Sequence, residues 1–235
     1  YHICHISTKE SVELLRKAKE RGVKATGETG PHYLMFTDMD LEEDGSWKMN
    51  PPIRAAADRE ALIRGIQDGT IDCLITDHAP HSAEEKSRGL SQSSFGIVGL
   101  ETAFPAMLHN MVLRNPLDRE EARVDRRKAK VKVSEILSEG GKKVHGAISL
   151  YRLLELMCTK PREIFPICGP KYIENGAEAD IAILDLDAVY KVDVESFYTK
   201  GRSTLFSGQE VQGRVLKTFY QGREVYDSEK GILKA

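Results

Sequence analysis

Residues 1–29, YHICHISTKESVELLRKAKERGVKATGET, decide the fold. The apolar run YHICHI (1–6) reads as a strand, STKESVELLRKAKERG (7–22) as a helix, and VKATGET (23–29) as a second strand. Within the helix, Ser7 and Glu10 have the spacing of a capping box. Val12, Leu14, Leu15 and Ala18 supply the apolar stripe, and Gly22 marks the stop. A strand, a helix and a strand joined by short connections imply a parallel crossover. The pattern returns after a long loop. DREALIRGIQDG (58–69) carries Leu62, Ile63 and Ile66 on one helical face, and TIDCLIT (70–76) is a third strand. These strands are apolar at nearly every position, as expected when both faces of a sheet are covered. The reading is an α/β fold, either a doubly wound sheet or a (β/α) barrel.

Further along, IVGLETAFPAMLHNMVL (97–113) and ISLYRLLELMC (148–158) are helical by periodicity, and TKPREIFPI (159–167) is a short helix with a cap-like Thr159 before Pro161. Between them REEARVDRRKAKVKVSEILSEGGKKVHG (119–146) interleaves acids with bases, which suits a solvated insertion better than a nucleic-acid patch. From Gly176 the period changes to two. ADIAILDLD (179–187) and GRVLKTFYQGREVYD (213–227) read as strands, the latter a hairpin turning at Gln221–Gly222. Two units are therefore expected: a barrel part over 1–175, with the charged insertion at about 115–147, and a small β-rich module over 176–235. Position 1 falls inside a strand, so an upstream part of the chain is expected to precede it.

Composition narrows the function. With 40% hydrophobic and 30% charged residues the chain reads as globular, and a net charge of −2 gives no global attraction to nucleic acid or to an acidic membrane. No apolar run reaches the roughly 20 residues of a membrane span, so a cytoplasmic protein is expected. The four cysteines (Cys4, Cys73, Cys158 and Cys168) show no CxxC spacing and read as reduced, buried hydrophobes. Function must rest on local sites.

In parallel α/β folds those sites collect at the carboxyl ends of strands. The first strand ends with His5 and the third with Asp77, while the second leads into GETGPHYL. His2 and His5 are an odd step apart and should point to opposite faces, and His5 is nearer the carboxyl end. A lone histidine at a strand end is commonly just hydrogen-bonded. An ionised Asp77 at the end of a buried strand, in contrast, costs several kcal/mol unless paired, and no Lys or Arg follows before Lys86. A metal ion satisfies both residues, and since catalytic zinc sites normally use three protein ligands, others are expected upstream. KMNPPIR (48–54) holds Asn50 before two stiffening prolines, suited to a fixed substrate contact or simply to a turn. Gly96 and Gly99 permit a close backbone approach or a tight turn.

Taken together, HICHISTKES, ETGPHYL, KMNPPIR, DGTID, TDHAPHSAEEK and FGIVGLETAFP resemble the carboxyl-terminal half of class I dihydroorotases, in the amidohydrolase superfamily. The resemblance is strong over about residues 1–113 and looser over 176–235. It implies a (β/α)8 barrel with one or two zinc ions at its mouth, and interconversion of N-carbamoyl-L-aspartate and L-dihydroorotate in pyrimidine biosynthesis. By the same resemblance, His5 is a zinc ligand on the sixth barrel strand, and Asp77, ending the eighth, is both metal ligand and general acid/base. Asn50 and His81 are substrate contacts, and Phe95 and Gly96 supply a backbone contact to the pyrimidine ring. His78 is left to hold the loop and His32 to a structural place. The family's HxH motif, its bridging ligand and another histidine are absent from these residues, so the 235-residue chain is expected to be inactive alone. Rival readings are an allantoinase or hydantoinase, and an inactive homologue serving as a scaffold for aspartate transcarbamoylase. A small-molecule substrate and a homo-oligomer are expected.

Overall fold

The computed structural model describes residues 1–117, 133–138, 140–166, 169–170 and 172–233. Three short parallel strands form one sheet: β1 (His2–Ile3), β2 (Thr26–Thr29) and β3 (Cys73–Leu74), in that order. The register pairs His2 with Thr26 and Glu28 with Cys73. The ladder runs past the strand ends, since the Ile6 amide donates to the Glu28 carbonyl at 2.8 Å and the Ile75 amide to the Thr29 carbonyl at 3.0 Å. The crossovers are α1 (Lys9–Glu20), between β1 and β2, and α3 (Ala56–Asp68), between β2 and β3, with the short α2 (Pro31–Met35) just after β2 and the one-turn α4 (Ala83–Lys86) and α5 (Gly89–Gln92) in the loop after β3.

The cap and the stripe of α1 differ from the sequence reading. Thr8, not Ser7, is the N-cap, its hydroxyl accepting from the Ser11 amide, while Ser7 is buried in the extended approach. Val12 and Leu15 are buried, whereas Leu14 is 67% exposed. At about 100° per residue Leu14 lies roughly 200° round from Val12, on the opposite face. In α3, Leu62, Ile63 and Ile66 are buried and Gly69 closes the helix at φ +83°, a left-handed conformation that suits glycine. Gly27 on β2 is where the sheet and α1 come closest: a Cβ there would lie 2.6 Å from both Ile6 Cδ1 and Leu15 Cδ2.

The helix expected over 97–113 is shorter and irregular. Residues 97–102 form the extended and turning approach to α6 (Ala103–Met107), which runs on through a π-helical turn over Leu108–Val112. Similarly α8 (Leu150–Leu154) continues through a π-turn over Glu155–Thr159 into α9 (Lys160–Ile164). Thr159 is not a cap: its backbone is helical, and its hydroxyl donates back to the Glu155 carbonyl at 3.4 Å. Arg152 ties α8 to α3 and to the approach to β3 by donating to the carbonyls of Ile66 and Ile71. Between α6 and α8 lies α7 (Val133–Ser138). Most of the charged insertion read at 119–146, and Cys168, lie outside the described residues. Of the other cysteines, all free thiols, Cys73 is buried, but Cys4 and Cys158 are exposed, contrary to expectation.

The second sheet is antiparallel, with β4 (Ile181–Lys191), β5 (Glu210–Tyr220), β6 (Arg223–Asp227) and β7 (Gly231–Ile232) in sequential order. Gln221 and Gly222, at φ +51° and +75°, make the two-residue turn between β5 and β6. Phe206, Val192 and Val211 pack with Ala106 of α6, and the Phe206 ring stands 5.5 Å from that of Phe36. The antiparallel sheet is thereby anchored on helices of the parallel part.

Candidate active site

Two non-glycine residues leave the parallel strands with positive φ, His5 at +55° and Asp77 at +47°. The third among the described residues is Gln221 in the hairpin turn. Left-handed backbone at non-glycine positions is uncommon and concentrates at functional sites. Here it turns both side chains inward at the same edge: His5 Nε2 stands 3.0 Å from Asp77 Oδ1. The pair expected from the sequence is brought together by the fold.

A third residue joins them. His32, in the first turn of α2, is buried, with Nε2 3.9 Å from Asp77 Oδ2 and without a hydrogen-bond partner. Burial, reinforced by the neighbouring His5, pushes its pKa down to about 3, so the ring is neutral. Gly30 fixes where that ring lies, because a Cβ on residue 30 would come within 2.6 Å of His32 Cε1. Sequence reading gave His32 only a structural place. Its signal was its position just past the carboxyl end of β2, between the strands that carry His5 and Asp77.

Below this group lies Glu28, also unassigned from the sequence. It is 5% exposed, accepts from His2 Nε2 at 3.0 Å through Oε2, and has Oε1 3.9 Å from His5 Nδ1.

The loop after β3 carries the other expected residues. His81 Nε2 makes a 2.8 Å hydrogen bond with the Phe95 carbonyl. Gly96, at φ +124°, packs so closely that a Cβ would lie 2.5 Å from that of Ala79. The Gly96 amide donates to the Lys48 carbonyl at 2.9 Å. Buried Lys86 donates to the carbonyls of Lys48, Ser94 and Gly96, at 3.2, 2.8 and 2.8 Å, latching the loops together. Asn50 is exposed on the loop that follows Lys48, preceding a cis bond to Pro51, and the Lys48 ammonium sits 4.7 Å over the ring of half-exposed Phe95. His78 holds the loop as expected, its Nδ1 accepting from the amides of Gly99 and Leu100. His81, Phe95 and Gly96 thus form one cluster, distinct in its contacts from the His5–Asp77 pair.

The donors fit a metal ion. His5 Nε2 and the two Asp77 oxygens are nitrogen and oxygen atoms of the kinds that hold zinc, converging from two strand ends at one sheet edge, with the orphaned His32 Nε2 beside them. No lysine or arginine ammonium or guanidinium among the described ion pairs reaches Asp77, whose neighbours at that distance are His5 and His32.

A histidine and an aspartate converge at the ends of parallel strands, and the sequence matches the amidohydrolase family over residues 1–225; the chain belongs to that family. Proteins of this family are generally metal-dependent. Among curated relatives, the chain is 42% identical over 228 residues to the dihydroorotase of Listeria innocua, covering 97% of this chain and 46% of that protein. It is 40% identical over 230 residues to the dihydroorotase of Brevibacillus brevis, with the same coverage of 97% and 46%. The chain therefore spans about half the length of the curated relatives it matches. Among solved structures it resembles the L-hydantoinase (dihydropyrimidinase) from Arthrobacter aurescens, with a TM-score of 0.77 and 30% identity over 99% of this chain and 46% of that one. The D-hydantoinase of Bacillus sp. AR9, at 0.75 and 23% over 98% and 46%, shares the fold. The parallel sheet is accordingly the carboxyl-terminal part of an amidohydrolase barrel.

Proposed function

We propose that this chain is the carboxyl-terminal part of a zinc-dependent dihydroorotase that interconverts L-dihydroorotate and N-carbamoyl-L-aspartate. The observation that carries the reading is the 3.0 Å approach of His5 Nε2 to Asp77 Oδ1 at the carboxyl edge of the parallel sheet, from the strands on either side of β2. The 42% identity to a dihydroorotase supports this choice of substrate class.

His5 and Asp77 would hold the ion. Zinc, when bound, supplies a water that ionises near neutral pH and an electrophile for the ring carbonyl. Asp77 performs the proton work. Its two oxygens face different neighbours, so one can stay with His5 while the other takes the proton of the attacking water and hands it to the leaving ring nitrogen. The neutral His32 ring, buried against Asp77, walls that oxygen from bulk water. His81, Asn50 and the backbone at Phe95 and Gly96 orient the substrate from the loops that Lys86 latches in place. Charge and rigidity are thus divided between strand ends and loops.

One alternative is favoured by a specific observation: the 30% identical structural neighbour is an L-hydantoinase. Ring opening of L-dihydroorotate, hydantoin and allantoin by the zinc-loaded, full-length gene product separates the two. Preference for dihydroorotate supports the proposal, and preference for hydantoin with dihydroorotate untouched refutes it.

A further inference from the structure

Glu28 has no part in the proposed reaction, yet its carboxylate is buried between two histidines. Oε2 is bonded to His2 Nε2 at 3.0 Å, and Oε1 faces His5 Nδ1 at 3.9 Å. His2 is itself fixed. Its Nδ1 shares a 2.7 Å hydrogen bond with Thr26 Oγ1, and its ring meets that of Phe165 edge-on at 4.8 Å. On the far side His5 Nε2 meets Asp77. A line of polar groups therefore runs from Thr26 through His2, Glu28 and His5 to Asp77, crossing β1, β2 and the end of β3.

We propose that Glu28 is a positioning residue for His5: its carboxylate, 3.9 Å from Nδ1 and so acting by charge rather than through a hydrogen bond, favours the tautomer with the proton on Nδ1 and leaves the Nε2 lone pair for an ion shared with Asp77. The inference rests on the reading of His5 as a metal-holding residue. Histidines that bind a metal commonly give their other ring N–H to a carboxylate, which sets tautomer and orientation and raises the basicity of the ligating nitrogen. Parallel pairing explains why Glu28 can do this: His2 lies beside Thr26 and Ile3 beside Gly27, so the next residue of β2 reaches the turn that carries His5. The competing use of Glu28 is as a ligand itself, since atoms of His2, Cys4 and Glu28 all lie within 4.8 Å of one another. The 3.0 Å bond between His2 and Glu28 instead leaves these two satisfied by each other, with the second oxygen turned to His5.

The test uses the full-length gene product, stripped of metal and titrated with zinc against a chromophoric chelator and with cobalt(II) followed by absorption. Glu28→Gln lowers zinc affinity about 10- to 100-fold and alters the visible cobalt bands. His2→Gln, which keeps Glu28 but removes its anchor, shifts affinity the same way by less, and Cys4→Ala changes neither affinity nor stoichiometry. Unchanged zinc affinity in a natively folded Glu28→Gln overturns the proposal. So does loss of one metal equivalent, or of a thiolate-to-cobalt band, in Cys4→Ala, because Glu28 would then ligate a second ion. Should Glu28→Gln fail to fold, unchanged affinity in His2→Gln overturns it equally. A wild-type protein that binds zinc but leaves dihydroorotate closed sinks the functional reading alone.

Discussion

Asp77 works at the residue scale because the backbone, not the side chain, aims it. Its left-handed φ, matched by that of His5, turns two strand ends toward one point. The sequence shows the residue types and their strand-end positions, but no local pattern shows a non-glycine residue in that conformation. For the same reason Glu28 escaped notice and His32 was given only a structural place: only the strand register sets each against His5 or Asp77. Gly30 gives a direct check on how firmly His32 is placed. Its backbone is ordinary, at φ −108°, so the objection to a larger residue is purely steric. Gly30→Ala is expected to lower stability by about 1–3 kcal/mol and to move the His32 ring resonances in NMR spectra. Unaltered stability and resonances would contradict the placement.

At the scale of elements, the strand, helix, strand order and the Gln221–Gly222 hairpin were legible because periodicity and turn chemistry are local. The π-turns closing α6 and α8 were not, since a one-residue change in hydrogen-bond register leaves the apolar pattern nearly intact. One of these turns carries a testable consequence. His109 lies in the π-turn after α6, is 4% exposed, and its Nδ1 lacks a hydrogen-bond partner. Burial, aided by the charge of Arg114, pushes its pKa from 6.5 down to about 4. Below pH 6.5 the unfolded chain takes up a proton that the folded chain refuses. Stability is therefore full above about pH 6.5 and falls as pH drops toward 4, by at most roughly 3 kcal/mol. In His109→Gln this part of the slope should vanish. Parallel pH profiles of denaturation midpoint for the two proteins would contradict it.

At the scale of the whole molecule, the sequence distinguished a parallel part from a period-two part, but not how they join. The joint is made by side chains distant in sequence: Phe206, Val192 and Val211 meet Ala106, and Phe206 reaches Phe36, whose ring in turn lies 5.3 Å from Trp47. Removing the Phe206 ring should cost about 3–5 kcal/mol. Because Trp47 is the single tryptophan, its fluorescence reports the parallel part, while circular dichroism follows the chain as a whole. In Phe206→Ala both signals are expected to move to lower denaturant together. A shift in circular dichroism with the Trp47 transition unmoved would show that the two sheets unfold independently.

The proposed role of Asp77, drawn to His5 at the strand ends, is to hold metal and move the proton in opening a cyclic amide. L-dihydroorotate ring opening, followed by absorbance in the full-length, zinc-supplied gene product and its Asp77→Ala variant, decides whether it does. Turnover is expected in the first and its loss, by a factor of at least about 100, in a folded second protein. Comparable turnover in both, or none in the folded and zinc-loaded wild type, would refute that role.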